Sequence, residues 1–270
     1  MTPETGGENI IEVENLVVSY DDLVVLDGVS FQVRRGETMV ILGGSGCGKS
    51  TLLRHIIGLE MPVSGKILLK GHDITVMSER ELGELMSKVG VVFQSSAMFN
   101  SMSVGDNVAL PLREHTRLEE STIQIMAKIK LDMVGLSGYE NFMPSEISGG
   151  MRKRAAFARA ISMDPELLFC DEPSAGLDPV VGAGLDQLIL KLKKALHMTI
   201  VVVTHEMESM YTIADRLIML HEGRIIFYGT VDQFRASDNP RVRQFIERRP
   251  DSDREEEAGH YVRALTTESF

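Results

Sequence analysis

The chain has no tryptophan and only two cysteines among 270 residues. Cys47 and Cys170 stand where small side chains fill tight space, and neither position suits a structural disulfide. Free thiols in a reducing compartment are expected. Long hydrophobic runs are missing too. Stretches such as Thr199-Ile200-Val201-Val202-Val203 have strand length, whereas a membrane span needs roughly 20 apolar residues. The start of the chain, Met1 to Asn9, is polar and acidic and lacks the basic and apolar segments of a secretory leader. On this reading the chain does not cross a membrane alone, and any work at one is done by docking to another subunit. Positive charge is also short: 28 Lys and Arg face 39 Asp and Glu, a net charge of -11. Backbone binding to duplex DNA or RNA needs clustered cations, so no nucleic-acid partner is expected. A composition of 43% hydrophobic and 25% charged residues fits one large α/β domain with a full core and room for an inserted subdomain.

Short β-branched runs alternate with longer helical stretches. Strands are expected at residues 10–18, 29–33, 38–42, 66–69, 89–93, 167–170, 200–203, 217–220 and 224–228. Helices are expected at 49–58, 78–87, 122–134, 149–162, 181–196 and 206–213. Runs such as 38–42 and 200–203 are apolar without alternation, as in parallel strands covered on both faces. Strands alternating with helices imply an α/β sheet. The early strands have few helices between them and imply an antiparallel β-subdomain. Between Gln94 and Ser148 no strand is convincing, so a helical subdomain at about 95–158 is read as inserted, with Pro111 and Pro144 near its joints. Residues 10–235 form the main domain and 236–270 a C-terminal extension. In that extension residues 247–257 are almost all charged, like a solvated linker, while Tyr261-Val262-Arg263-Ala264-Leu265 is mildly apolar and able to dock. No internal repeat is found.

Gly43-Gly44-Ser45-Gly46-Cys47-Gly48-Lys49-Ser50 follows a strand and opens a helix, the context a phosphate-binding loop requires. Glycines let backbone amides turn inward around phosphate oxygens, and the helix N-terminus adds its dipole. Lys49 is expected to reach the β- and γ-phosphates, and the Ser50 hydroxyl to bind Mg²⁺. Leu167-Leu168-Phe169-Cys170-Asp171-Glu172 is an apolar strand ending in two carboxylates at the sheet edge where α/β proteins bind ligands. Asp171 suits Mg²⁺, a cation that favours hard oxygens, and Glu172 suits polarising a water. Ser148-Gly149-Gly150 precedes the basic helix Met151-Arg152-Lys153-Arg154-Ala155 and is either an ordinary cap or a second anion site. One chain has no second triphosphate, so its client would be the γ-phosphate held by a second copy.

These motifs, in this order, resemble the ATPase subunit of an ABC transporter over residues of about 10 to 235. The implied fold is an α/β P-loop NTPase core of the ABC ATPase type, with an antiparallel β-subdomain and an inserted helical subdomain. The resemblance implies Tyr20 as the aromatic that stacks on adenine. Gly43, Gly44, Ser45, Gly46, Cys47, Gly48, Lys49, Ser50 and Thr51 match the phosphate loop. Gln94 matches the glutamine that senses γ-phosphate and Mg²⁺. Ser148, Gly149 and Gly150 match the signature, Asp171 and Glu172 the strand-end acids, Asp178 the loop that follows, and His205 the switch histidine. Met151 departs from the usual Gln; a thioether accepts hydrogen bonds only weakly, yet Ser148 and the glycine amides carry the main contacts. Met at this place is similar to the ATPase of the Mla/Mce lipid-transport systems, as are residues 93–99, 110–116 and 239–245.

That resemblance implies ATP and Mg²⁺ as cofactors and an ATP-sandwich dimer of two copies. It also implies a membrane permease, an Mce-type substrate-binding protein and a STAS-domain regulator as partners, with the Met-rich segment 94–102 as a groove for the permease. The expected location is the cytoplasmic face of the bacterial inner membrane, peripheral via the permease. The activity implied is ATP hydrolysis that moves phospholipids between inner and outer membranes. An importer ATPase for another cargo, such as an amino acid, would share every catalytic motif. A non-transport ATP clamp is disfavoured by the single cassette, the lack of a long coiled-coil insertion and the intact Glu172.

Overall fold

The computed structural model describes residues 8–249. Its centre is a six-stranded sheet. β3 (Thr38–Gly43), β6 (Val89–Val92), β7 (Leu167–Asp171), β8 (Thr199–Thr204) and β9 (Arg216–His221) run parallel, and β10 (Arg224–Thr230) pairs antiparallel to β9, in the order β10-β9-β3-β8-β7-β6. The apolar runs of the sequence owe their lack of alternation to two cores. On β3, Val40 and Leu42 enter one core while Met39 and Ile41 enter the other; on β8, Ile200 and Val202 oppose Val201 and Val203 in the same way. Both faces being dry, the centres of the two strands are apolar throughout, and the polar residues, Thr38, Thr199 and Thr204, stand at their ends.

One core is roofed by α1 (Lys49–Ile56) and by a second, antiparallel sheet. That sheet contains β1 (Asn9–Tyr20), β2 (Leu23–Arg34), β4 (Ser64–Leu69) and β5 (His72–Asp73) in the order β2-β1-β4-β5. β1 and β2 are longer than their apolar centres predict, because they meet in a tight turn at Asp21 and Asp22, where Asp21 adopts a φ of 50°. The other core lies under α3 (Val104–His115), α4 (Glu120–Met133), α5 (Gly149–Ala160) and α6 (Pro179–Leu196). Shorter helices are α2 (Glu79–Met86), α7 (Met207–Ile213), α8 (Val231–Arg235) and α9 (Pro240–Ile246). Both cysteines are buried and free. No described helix is long and apolar enough to cross a membrane.

Pro111 does not mark a joint. It lies inside α3, a helix not anticipated from the pattern. Only the final turn follows it, so the lost N–H bond and the ring clash fall where the helix is ending. The N-terminus is well made: Ser103 caps it by accepting from Asp106 N, and buried Asn107 ties back to the carbonyls of Phe99, Met102 and Ser103. The apolar C-terminal stretch at 261–265 lies outside the described residues.

Candidate active site

The parallel strands deliver their C-terminal ends to one edge of the sheet, and the candidate residues collect there. β3 ends in Gly43, where a Cβ would stand 2.5 Å from both Cys47 Sγ and Leu220 O. Only glycine lets the loop leave the strand so close to β9. Gly48 is the N-cap of α1 at a φ of 102°, and no side chain caps that helix. Its first amides are thus left to an anion, which the helix dipole also favours. Lys49, buried, donates from Nζ to the carbonyls of Gly43 (2.9 Å) and Gly44 (2.8 Å). An ammonium has three donors, so the lysine is braced across the loop with one still to offer.

Residues 44–51 form one wall of an open cleft of about 1220 Å³, and Gln94, Glu172 and His205 are on its lining as well. Gln94 follows β6, Glu172 follows β7 and His205 follows β8, so each is placed by a strand end. Glu172 has a φ of 45°, left-handed for a residue with a Cβ, and is held by its N–H donating to Val203 O at 2.9 Å. Such a conformation costs on the order of 1–3 kcal/mol and persists where surroundings enforce it. It turns the buried carboxylate toward His205, whose Nδ1 lies 2.9 Å from both Glu172 oxygens.

Ser50 Oγ donates to Asp171 Oδ1 at 3.5 Å. Burial, reinforced by the charge of Glu172, pushes the Asp171 carboxyl upward. Two hard oxygens beside a phosphate loop, in a pocket whose acids repel one another, fit a divalent cation. No cluster of three or more His, Cys, Asp or Glu among the described residues could hold a metal by itself.

Other candidate residues do not line this cleft. Tyr20 is half-exposed on the β1–β2 hairpin; its hydroxyl donates to Glu60, and that bond is the main cause holding the phenol above its usual range. Thr51 is in reach of the same hydroxyl, which puts Tyr20 beside the phosphate loop. Ser148 caps α5, its Oγ accepting from Met151 N at 3.2 Å, and its own O–H is still available. Asp178 caps α6 through Val180 N and Val181 N. Ser148, Gly149, Gly150 and Asp178 are not on the lining of this cleft.

Two groups escaped the sequence reading. Lys153, on α5, is buried with its Nζ 2.5 Å from Gln94 O. Arg241, Gln244 and Phe245 of α9, with Arg248 and Arg249 beyond it, are also on the lining of the cleft. The arginines clustered in 241–249 were visible, but nothing in their spacing links them to a loop two hundred positions away.

A strand–glycine loop–helix unit facing strand-end acids defines a P-loop nucleoside triphosphatase. The ABC transporter family model matches residues 26–175. The intermembrane phospholipid transport system ATP-binding protein MlaF of Haemophilus influenzae is 45% identical over 88% of this chain and 90% of that protein. MlaF of Escherichia coli K12 is 41% identical over 90% and 91%, and a probable ribonucleotide transport ATP-binding protein of Mycobacterium leprae is 44% identical over 87% and 68%. Among solved structures, a dimeric ATP-binding cassette in a post-hydrolysis state with ADP and Pi superposes with a TM-score of 0.76 at 29% identity, covering 82% of this chain and 98% of that one. The cbiO1 cassette of Clostridium perfringens reaches 0.79 at 30% identity, covering 89% and 99%. The chain belongs to the ABC transporter family, and within it to the ATP-binding, ATP-hydrolysing subunits.

Proposed function

We propose that this ATPase powers phospholipid movement between bacterial membranes, working with Mg²⁺ as a dimer docked on a permease. The cargo reading is supported by the MlaF relatives, which match it nearly end to end in both directions. The mycobacterial relative, named for another cargo, is matched over only 68% of its length.

The observation that carries the chemistry is the contact of His205 Nδ1 with the strained, buried Glu172 across from the phosphate loop. Amides of residues 43–48 and the Lys49 ammonium bind and orient the triphosphate, Thr51 supports that loop, and Tyr20 stacks on adenine. Glu172 takes the proton of the attacking water, and His205 fixes the direction of its carboxylate. Gln94 holds that water in line. Ser50 and Asp171, with Gln94, would hold Mg²⁺, which neutralises charge on the phosphate oxygens. Ser148, Gly149, Gly150 and Asp178, which do not line their own cleft, serve the site of a second copy; a solved cassette of similar fold is dimeric. The partners are a permease, docking at residues 94–102, an Mce-type substrate protein and a STAS-domain regulator, at the cytoplasmic face of the inner membrane.

Two experiments test this. Glu172→Gln is expected to bind ATP, to accumulate as a dimer and to lose turnover by about a hundredfold or more; normal hydrolysis would remove Glu172 as the base. Gentle detergent capture of the tagged chain from its host should bring down a permease, an Mce-type protein and phospholipid. A permease with no lipid-binding subunit would leave the ATPase intact and move the cargo elsewhere.

A further inference from the structure

The four cations of α5 do something the sequence does not disclose. Arg152 donates to the carbonyls of Pro144 and Ile147 at 3.4 and 3.3 Å. Arg154 donates to Val134 O at 3.0 Å, and Arg159 to Ala97 O and Ser96 O at 2.7 and 3.1 Å. Lys153 donates to Gln94 O at 2.5 Å and Glu172 O at 3.4 Å. Every acceptor is a main-chain carbonyl. A helix that reads as a basic, anion-seeking surface is instead a post to which several distant loops are tied.

Lys153 differs from the other three. Its side chain is almost wholly buried, with the residue 6% exposed. The two carbonyls it holds belong to Gln94 and Glu172, whose side chains enter the cleft from the ends of β6 and β7. Burying an ammonium costs several kcal/mol, and packing alone would be served better by a methionine. Burial lowers the affinity of Lys153 for its proton, while Glu172, Asp171 and Glu206 oppose that shift.

We propose that Lys153 is a positioning residue for hydrolysis: its ammonium clamps the backbones of Gln94 and Glu172 together and so fixes the spacing of the two side chains that direct the attacking water. This rests on the roles given above to Gln94 and Glu172. The peptide unit of Glu172 is the strained one, and a carbonyl held at 3.4 Å beside an N–H held by Val203 pins both sides of it. Loss of the clamp should leave the phosphate loop alone, because the hydrogen bonds of Lys153 go to Gln94 and Glu172 and not to residues 43–51.

The test compares Lys153→Met, Lys153→Arg and Glu172→Gln in the full chain, with kcat from steady-state hydrolysis and Kd from equilibrium binding of a fluorescent ATP analogue. Lys153→Met should lower kcat by about tenfold or more, as small misplacements of reacting groups do, with Kd within about threefold. Lys153→Arg, which can still donate to both carbonyls, should recover most of the loss. In single-turnover reactions, adding Lys153→Met to Glu172→Gln should cost clearly less than Lys153→Met costs in the parent, since the share of the clamp that acts through Glu172 is already lost and only that through Gln94 remains. The proposal is overturned if Lys153→Met hydrolyses normally while Glu172→Gln is dead. It is overturned also if kcat and affinity fall together, if arginine fails to rescue a folded variant, or if the two losses add. An active Glu172→Gln would instead sink the assignment of the base on which the clamp depends.

Discussion

Lys49 shows how a single side chain can be legible from sequence. Its neighbours are local, its loop follows a strand, and the helix it opens supplies amides whatever the rest of the fold does. A charge-assisted hydrogen bond contributes about 1.5–3 kcal/mol, so Lys49→Ala should weaken ATP binding by about ten- to a hundredfold; unchanged affinity in a calorimetric titration would overturn the phosphate-loop reading. Met151 is a different case, a departure from the usual Gln that the sequence already reads as tolerable. Its N–H is held by Ser148 Oγ, and its side chain packs against the helical core. The thioether thus behaves as filler, and Met151→Gln should keep ATPase turnover within about threefold of the parent. Complete loss would give the sulfur a role in the site. Lys153 was not legible at all, because its acceptors are carbonyls, which every residue owns. Only the fold decides which two reach one ammonium.

At the scale of elements, the strands and most helices follow from period and punctuation, and the exceptions have physical causes. α3 carries Val104, Val108 and Leu112 on one buried face and a Ser103 cap with Asp106 three residues on. Pro111 hid those signals, since a proline in the last turn looks the same in sequence as one in a loop. The packing of α6 against α7 holds a titration that sequence could not reveal either. Asp186 is buried, its Oδ2 accepts from Ser209 Oγ at 2.9 Å, and its Oδ1 has no partner. Burial first, then the nearby charge of Glu206, pushes its carboxyl up to about 6. The folded chain holds this proton more tightly than the unfolded chain, where a carboxyl releases it near 4. Its contribution is therefore fully present below pH ~4, is lost as pH rises through ~6, and stays lost above. Asp186→Asn removes that dependence. The two proteins should melt alike near pH 4, and the variant should be more stable by up to about 3 kcal/mol at pH 7.5. Parallel melting curves at every pH would show that Asp186 ionises freely.

At the scale of the whole molecule, the decisive fact is what the cleft leaves out. Lys49, Gln94, Glu172 and His205 line one cleft within one chain, but Ser148, Gly149, Gly150 and Asp178 are not on its lining. Sequence order listed all of these residues without saying which belong to one site. If the site is completed by a second copy, damage to the two halves can be separated. A chain with Lys49→Ala has lost its phosphate loop but still offers an intact signature. A chain with Ser148→Arg has lost the signature, because a long cation now stands at the α5 cap, but keeps its phosphate loop. Each should be nearly inactive alone, since every site in either homodimer contains one damaged half. Mixed, they form heterodimers with one site damaged twice and the other whole. ATP should then drive association in light scattering, and turnover should return to about a quarter of the parent's, the share expected when half the dimers are mixed and half their sites intact. If each chain built its own site, both sites of a mixed dimer would remain broken and mixing would restore nothing.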